Sequence, residues 1–122
     1  SEIKNTNLEI ITKQSADFDR TKGLSVMENI IQSKGNIDAV FAQNDEMALG
    51  ALKALQDANI NDVLVVGFDA VSSVSKGEMA ATIAQQPILI GEKAVDLANR
   101  YLSGEKVETF APVELKLIEK IT

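Results

Sequence analysis

Residues 38–55, DAVFAQNDEMALGALKAL, constrain the fold more than any other stretch, because the hydrophobic period changes within them. Residues 38–43 are a short apolar run rich in β-prone side chains, which predicts a buried strand. Asn44 and Asp45 follow, and such short side chains cap helices by accepting bonds from free backbone N–H groups. From Glu46 onward the apolar residues recur at helical spacing. The stretch therefore predicts a strand that turns directly into a helix, with Asn44 at the strand's carboxyl end.

The same alternation of strand and helix recurs along the chain. Further strands are predicted at residues 8–12, 63–69, 79–84 and 113–118. One further helix begins after Asp19 or Thr21, either of which can cap it, and ends at Gly35. Another begins at Pro87, runs to about residue 103 and closes on Gly104, which suits the position after a helix end.

The order of these elements predicts an α/β fold. The series β-α-β-α-β-α-β-α-β is typical of a right-handed, mostly parallel sheet, and we expect one three-layer αβα domain over residues 1–122. The unbroken apolar run at 63–69 is typical of a strand covered on both faces. A short Ser-rich helical segment is expected between that run and Gly77. Gly23 lies inside the first helix at a cost of roughly 1 kcal/mol relative to Ala, which predicts close packing there.

Composition excludes several classes of protein and site. The 122 residues include no cysteine, so disulfides and thiolate metal sites are excluded, and no histidine, the commonest general base and metal ligand. The net charge of −6 argues against nucleic acid as a partner, because that affinity comes largely from Lys and Arg. No apolar run approaches the ~20 residues that a membrane span needs.

Four residues fall just past predicted strand ends: Phe18, Asn44, Asp69 and Gln85. Each has a purely structural interpretation, as a core plug, a helix cap, a turn residue or a surface amide. Together they place a carboxylate, two amides and an aromatic ring at the edge where open α/β sheets bind ligands. Amides and carboxylates suit vicinal hydroxyls, and an aromatic face covers the C–H side of a sugar ring. The set predicts polyol binding without chemistry.

Competing motifs are weak. Neither G-x-G-x-x-G nor a Walker A sequence is present, so nucleotide phosphates lack their usual cradle. Asp17, Asp19, Asp45 and Asp69 are also compatible with a metal site or an acidic phosphoacceptor pocket. However, the Asp17-Phe18-Asp19 segment lacks the downstream ligands of a calcium loop. No activating partner can be named for a Ser or Lys nucleophile. We therefore expect no enzymatic activity, no metal and no cofactor.

Several segments of the chain resemble the bacterial ribose-binding proteins. The segments are ADFDRTKGLSVMENI (16–30), AVFAQNDEMALGALKAL (39–55), VVGFD (65–69), MAATIAQQP (79–87) and the tail LSGEKV…PVELKLI. The resemblance covers only the carboxyl-terminal half of that family. It implies one lobe of a type 1 periplasmic binding protein, whose two lobes are joined by three hinge strands and close on a sugar. The family delivers the sugar to an ABC permease and, in some bacteria, to a chemoreceptor. The implied location is periplasmic, or lipid-anchored in a Gram-positive cell, with the signal peptide outside this chain.

The resemblance also assigns roles to the four residues. Phe18 would pack against the sugar ring, and Asn44, Asp69 and Gln85 would hydrogen-bond its hydroxyls. An arginine upstream of Ser1 and the ligands of the amino-terminal lobe are absent, so we expect the chain alone to bind D-ribose or a similar monosaccharide weakly or not measurably.

The helix at residues 87–104 would pack on the missing amino-terminal lobe. Without that lobe its apolar residues need another cover, so either the helix folds back on its own sheet or two chains form a homodimer through it.

A second interpretation is the effector-sensing core of a LacI-type repressor. Such cores share the strand–Asn-Asp–helix and VVGFD patterns. They usually continue to a proline-led strand, P-x-L-T-T-I, where this chain has GEMAATI at 77–83. That difference favours the transport protein.

Overall fold

The computed structural model describes residues 6–69 and 79–119. In chain order the elements are α1 (Arg20–Lys34), β1 (Ala39–Phe41), α2 (Asp45–Asp57), β2 (Leu64–Phe68), β3 (Ala81–Ala84), α3 (Pro87–Leu102) and β4 (Lys116–Glu119). The predicted alternation of strand and helix is confirmed from α1 onward. The Ser-rich helical segment expected before Gly77 lies outside the described residues.

The sheet has four strands in the order β1-β2-β3-β4. The first three are parallel neighbours: Phe41 of β1 pairs with Val66 of β2, and Phe68 of β2 pairs with Ile83 of β3. β4 runs antiparallel to β3. The expectation of a mostly parallel α/β sheet is therefore confirmed. Because β1, β2 and β3 are parallel neighbours, their carboxyl ends lie side by side at one edge of the sheet.

The predicted helix ends are confirmed. The Asp19 carboxylate caps α1 by accepting a 2.8 Å hydrogen bond from the backbone N–H of Lys22, and Gly35, with φ 71°, follows its end. Pro87 lies in the first turn of α3, and Gly104, with φ 88°, follows its last turn. These ends depend on single residues and their immediate neighbours, and for that reason the sequence predicts them well.

The core lies between the sheet and the pair of helices α1 and α2. Its buried members are Met27, Ala48, Ala51, Ala54, Leu55, Val65 and Met79. The helices approach closely because each carries a glycine at the crossing. A Cβ at Gly23 would lie 2.8 Å from the carbonyl oxygen of Met47, and one at Gly50 would overlap the carbonyl oxygen of Arg20. The close packing predicted at Gly23 is confirmed, and Gly50 is its counterpart on α2.

The strand predicted at residues 8–12 is wrong. These residues have no regular secondary structure, and Leu8, Ile10 and Ile11 are exposed, Leu8 by 70%. A strand is stable only when its N–H and C=O groups pair with a neighbour. In the part of the chain that the structure describes, β1 lies at the sheet edge and pairs only with β2. The apolar composition of residues 8–12 favours a strand, but none of the described strands pairs with these residues.

The prediction that residues 63–69 form a strand covered on both faces is wrong, and so is the prediction that the strand at residues 38–43 is buried. Val65 is buried on the inner face, but Leu64 is exposed and Phe41 of β1 is 64% exposed. The reason is that α1 and α2 cover one face only, and α3 has no buried residue. The α/β class is confirmed, and residues 6–69 and 79–119 supply one of the two helical layers expected beside the sheet.

Candidate functional site

Three of the four candidate residues lie at the carboxyl ends of neighbouring parallel strands. Asn44 comes three residues after Phe41, the last residue of β1. Asp69 directly follows β2, and Gln85 directly follows β3. Because strands in a sheet are spaced about 4.8 Å apart, residues at these ends emerge at the same edge. The topology therefore puts an amide, a carboxylate and a second amide in a row.

Asn44 is a helix cap and a tether at the same time. It is 9% exposed, its Oδ1 accepts a 2.9 Å hydrogen bond from the backbone N–H of Met47, and its Nδ2 donates a 3.3 Å bond to the carbonyl oxygen of Phe18. The cap predicted for α2 is confirmed. An amide has two lone pairs and two N–H groups, so each bond uses half of the capacity of its atom. These two bonds leave one N–H group and one lone pair of the Asn44 amide unused.

Asp69 and Gln85 are joined directly. Gln85 Nε2 donates a 2.8 Å hydrogen bond to Asp69 Oδ1, and both side chains are exposed. The backbone N–H of Asp69 donates to the carbonyl oxygen of Ile83, which continues the β2–β3 ladder one residue past the strand. Asp69 has φ 109°, a backbone conformation that residues other than glycine rarely adopt. Such strain is found preferentially at functional sites.

Phe18 lies in a tight turn before α1, and its ring is 64% exposed. The carbonyl oxygen of Ala16 accepts a 2.9 Å bond from the N–H of Asp19, and the two residues between them, Asp17 and Phe18, have φ 50° and 57°. The left-handed conformation costs an ordinary residue about 1–2 kcal/mol. The structure thus presents an aromatic ring to solvent from a strained turn, and the interpretation of Phe18 as a core plug is excluded.

Charged and polar contacts hold this turn. Lys22 Nζ donates a 2.8 Å hydrogen bond to Asp17 Oδ2, and the hydroxyl of Ser15 donates to Asp17 Oδ1 at 3.0 Å. These two bonds, that of Lys22 first, hold the pKa of the Asp17 carboxyl below its ordinary value. The same contact with Asp17 raises the pKa of Lys22.

The starts of α1 and α2 are joined by a second ion pair. Arg20 binds Glu46 through two parallel hydrogen bonds of 2.9 Å, and the hydrogen bonds from Arg20 lower the pKa of the Glu46 carboxyl. A two-point arginine–carboxylate contact fixes orientation as well as distance. The turn that carries Phe18 is thus connected to α2 both by Asn44 and by this pair.

Replacing Lys22 by Met is expected to raise the pKa of the Asp17 carboxyl toward its ordinary value. The lowered pKa means that the pair contributes stability above the ordinary carboxyl pKa, and that this contribution is lost as pH falls through the lowered value. Carboxyl carbon shifts of Asp17, followed by NMR across an acid titration, give the pKa in both proteins.

The matched control is Lys53→Met, because Lys53 pairs with Asp57 on the exposed surface of α2. This change removes the same charge and leaves the turn intact, so Asp17 should titrate as in the unmodified chain. Equal pKa values of Asp17 in the Lys22→Met and unmodified proteins contradict the turn geometry.

The four candidates are joined as two pairs, Phe18 with Asn44 and Asp69 with Gln85. Two buried polar residues that the sequence interpretation did not assign to the sugar site, Asp45 and Thr82, form a further contact, in which Thr82 Oγ1 donates to Asp45 Oδ1 at 2.8 Å. In the sequence, the indication of this contact is Gly67, which lies inside the apolar β2 strand. A glycine within a strand marks a close approach of another group to the backbone.

Within residues 6–69 and 79–119, no group of three or more acidic residues is placed to hold a metal ion. None of the helices described there has the length and apolar character to cross a membrane. The arrangement offers hydrogen bonds and an aromatic face.

The comparisons with known proteins find a periplasmic binding protein family and several relatives named for a sugar. A family model described as "Periplasmic binding protein domain" matches residues 1–106. The ribose import binding protein RbsB of Haemophilus influenzae is 57% identical over 115 residues, which are 91% of this chain and 39% of that protein. Its Bacillus subtilis counterpart is 51% identical over 119 residues, or 94% of this chain and 39% of that protein.

The structural comparison agrees. An ABC transporter periplasmic solute binding protein from Actinobacillus succinogenes, solved with bound D-allose, has a TM-score of 0.86 and 31% identity. The match covers 92% of this chain and 42% of that one. The chain thus spans about two fifths of the length of the relatives it matches. These relatives are binding proteins and not enzymes, which agrees with the expectation of no catalysis. None is described as a repressor, so the LacI-type interpretation gains no support.

Proposed function

We propose that this chain, which belongs to the periplasmic binding protein domain family, forms one wall of a cleft that binds D-ribose or a similar monosaccharide for uptake. The observation that carries the proposal is the row of Asn44, Asp69 and Gln85 at the carboxyl ends of three adjacent parallel strands. This edge is where open α/β sheets bind ligands. Relatives named ribose import binding proteins support the choice of ribose, and the D-allose complex of a structural neighbour keeps the class open to similar sugars.

The carboxylate–amide pair suits the vicinal hydroxyls of a sugar. A carboxylate offers about four acceptor positions, and the bond from Gln85 uses one of those on Asp69. That bond also fixes the orientation of the Gln85 amide, so its carbonyl oxygen faces away from Asp69 and can accept from a second hydroxyl. Asn44 adds one donor and one acceptor at the far end of the row. The three side chains thus bind hydroxyl groups in fixed directions.

Phe18 supplies the apolar contact. A sugar ring has a C–H face as well as hydroxyl edges, and an aromatic ring covers the C–H face. The backbone of Phe18 is connected to the row of polar residues, because the Phe18 carbonyl oxygen accepts a hydrogen bond from the Asn44 side chain. This connection tethers the turn that carries the Phe18 ring to the polar residues.

One wall of a cleft is expected to bind sugar weakly. Asp69, Gln85 and the ring of Phe18 are all exposed, and a good pocket buries most of its ligand. About four hydrogen bonds of ~1 kcal/mol each correspond to no better than millimolar affinity. The second wall would come from the amino-terminal lobe that the longer relatives have room for.

The exposed apolar residues of α3 support this assembly. Ile88, Val95, Tyr101 and Leu102 are exposed, and α3 is held to the segment before β4 by a bond from Lys93 Nζ to the carbonyl oxygen of Pro112. α3 has no buried residue, which argues against its folding back on the sheet. In the longer protein its cover is the amino-terminal lobe, and for the chain alone it is a homodimer through residues 87–104. An ABC permease is the partner of the whole protein, and the location is extracytoplasmic, lipid-anchored in a Gram-positive cell.

The chain alone is expected to show millimolar or no detectable affinity for D-ribose. Adding the amino-terminal lobe of a ribose-binding relative should bring the affinity into the micromolar range, because both walls then enclose the sugar. Isothermal titration calorimetry measures both affinities, and light scattering on the same samples shows whether the chain is dimeric and whether the added lobe gives a one-to-one complex.

A matched pair of variants tests the site within that experiment. Asp69→Asn should weaken ribose binding by roughly 10- to 100-fold, since hydrogen bonds to charged groups contribute ~1.5–3 kcal/mol. Asp62→Asn removes the same charge from a turn at the opposite end of β2 and should leave the affinity unchanged. Micromolar affinity of the chain alone, or equal effects of the two variants, contradicts the proposal.

A further inference from the structure

We propose that Asp45 is a positioning residue, whose buried carboxylate holds the three strand ends that carry Asn44, Asp69 and Gln85; this inference rests on the proposed function. Asp45 is the first residue of α2 and is 1% exposed. Its Oδ1 accepts a 2.8 Å hydrogen bond from the hydroxyl of Thr82, which is 0% exposed. A carboxylate this deeply buried is rare unless a specific contact requires it.

The carboxylate of Asp45 reaches across a strand to make this bond. α2 follows β1, whereas Thr82 belongs to β3, and β2 lies between them. The residue of β2 that pairs with Thr82 is Gly67. A Cβ at Gly67 would overlap Asp45 Oδ1 and would lie 2.9 Å from Met79 Sδ. Glycine at this position is therefore what allows the carboxylate to pass over β2.

The contact ties together the elements that present the site. Asp45 directly follows Asn44, Gly67 precedes Asp69 by two residues, and Thr82 precedes Gln85 by three. Each residue of the contact thus lies within three positions of a candidate sugar-binding residue. A shift of Asp45 relative to Thr82 changes the separation of Asn44 from Gln85.

The location of the acid also suits the end of a helix. The first turn of α2 contains Asp45 and Glu46, and negative charge there interacts favourably with the free N–H groups and the dipole of the helix. The two acids have different surroundings: Glu46 is exposed and binds Arg20, whereas Asp45 points inward to the sheet. The buried acid therefore fixes where α2 begins over the strand ends, which is where Asn44 caps it.

The variant Thr82→Val distinguishes a positioning role from a merely structural one, because only a positioning role predicts changes at Asn44 and Gln85. This variant keeps the volume of the side chain and removes the donor. We expect the side-chain N–H₂ resonances of Asn44 and Gln85 to shift in ¹H–¹⁵N spectra of the 122-residue chain, and ribose affinity, followed by NMR titration, to fall about tenfold, the loss of about one hydrogen bond to the sugar. Thr82→Ser restores the donor and should return both readouts to those of the unmodified chain.

The control for lost stability is Met27→Ala, which truncates a buried core residue on α1 away from the strand ends. It should lower the unfolding midpoint but leave both amide resonances and the ribose affinity of the folded chain unchanged. If Thr82→Val does not fold, Thr82→Cys supplies a weak donor of similar size, with smaller shifts expected in the same direction.

The outcomes separate this inference from the proposed function. If the unmodified chain alone shows no response to ribose, as one wall of a cleft allows, the two amide resonances alone decide the role of Asp45. The proposed function fails only if the chain with the amino-terminal lobe added also shows no response. The inference is overturned if Thr82→Val leaves both amide resonances unshifted, or if Met27→Ala shifts them as much as Thr82→Val does. It is also overturned if ribose binds the unmodified and Thr82→Val chains with equal affinity.

Discussion

Gly50→Ala is expected to lower the free energy of unfolding by about 2 kcal/mol or more, although alanine is the better helix former. A Cβ at Gly50 would overlap the carbonyl oxygen of Arg20 and lie 2.7 Å from the backbone nitrogen of Leu24. Both are backbone atoms, so no side chain can rotate away, and α1 must move off α2. Overpacking of this kind costs ~3 kcal/mol, and the helix propensity of alanine returns ~1 kcal/mol. Urea unfolding followed by far-ultraviolet circular dichroism measures the difference.

The matched control makes the same substitution in another helix interior. A Cβ at Gly91 of α3 would meet no atom within 4 Å, so Gly91→Ala keeps only the gain in helix propensity, up to ~1 kcal/mol. Because α3 has no buried residue, this gain is best measured as slower amide hydrogen exchange within α3. A Gly50→Ala protein as stable as the unmodified chain contradicts the close packing of α1 against α2. Opposite signs for the two alanines are the expected result.

Sequence reasoning succeeded where a few neighbouring residues decide the structure. The Asn44 cap follows from a change of hydrophobic period and one short polar side chain, and both are local. The same holds for the cap by Asp19 and for the helix start at Pro87. The parallel order of the sheet followed from the alternation of elements, because connection handedness leaves few topologies. The placement of Asn44, Asp69 and Gln85 at one sheet edge is a consequence of that order.

Sequence reasoning failed where the decision is not local. Residues 8–12 have the composition of a strand, but whether they form one depends on a neighbour with free backbone groups. The burial of residues 63–69 depends on which helices cover each face of the sheet. An apolar run does not show whether a neighbouring strand or a covering helix is present. The hydrophobic pattern therefore predicted a strand pairing for residues 8–12 and a second helical layer over residues 63–69, and the described residues supply neither.

The site was predictable as a set of residues but not as a set of contacts. The bond between Asp69 and Gln85 depends on side-chain reach between neighbouring strands. The left-handed turn at Asp17 and Phe18 was missed because phenylalanine carries no signal for positive φ. The buried Asp45 had a weak local signal, an acid in the first helical turn, but its partner is 37 residues away. Contacts of this kind need coordinates.

Asn44→Ala is expected to lower the free energy of unfolding by about 2 kcal/mol and to loosen the turn that carries Phe18. Loss of an N-cap costs ~1 kcal/mol, and loss of the hydrogen bond to the Phe18 carbonyl oxygen costs about as much again. The second loss should also raise amide hydrogen exchange in the turn at residues 16–19, since its tether to α2 is gone. Urea unfolding gives the first quantity, and hydrogen exchange by NMR gives the second.

Asn44→Asp separates the two functions of the side chain. Aspartate caps helices as well as asparagine, but it has no N–H group to donate to Phe18, so this variant should lose about 1 kcal/mol and still show fast exchange in the turn. Asn29→Ala, on the exposed face of α1, controls for the change of residue type and should cost nothing. Equal stability of the Ala and Asp variants means that the cap contributes little. Unchanged exchange in both means that the tether is absent in solution, and the aromatic face of the proposed sugar site is then not held to its polar row.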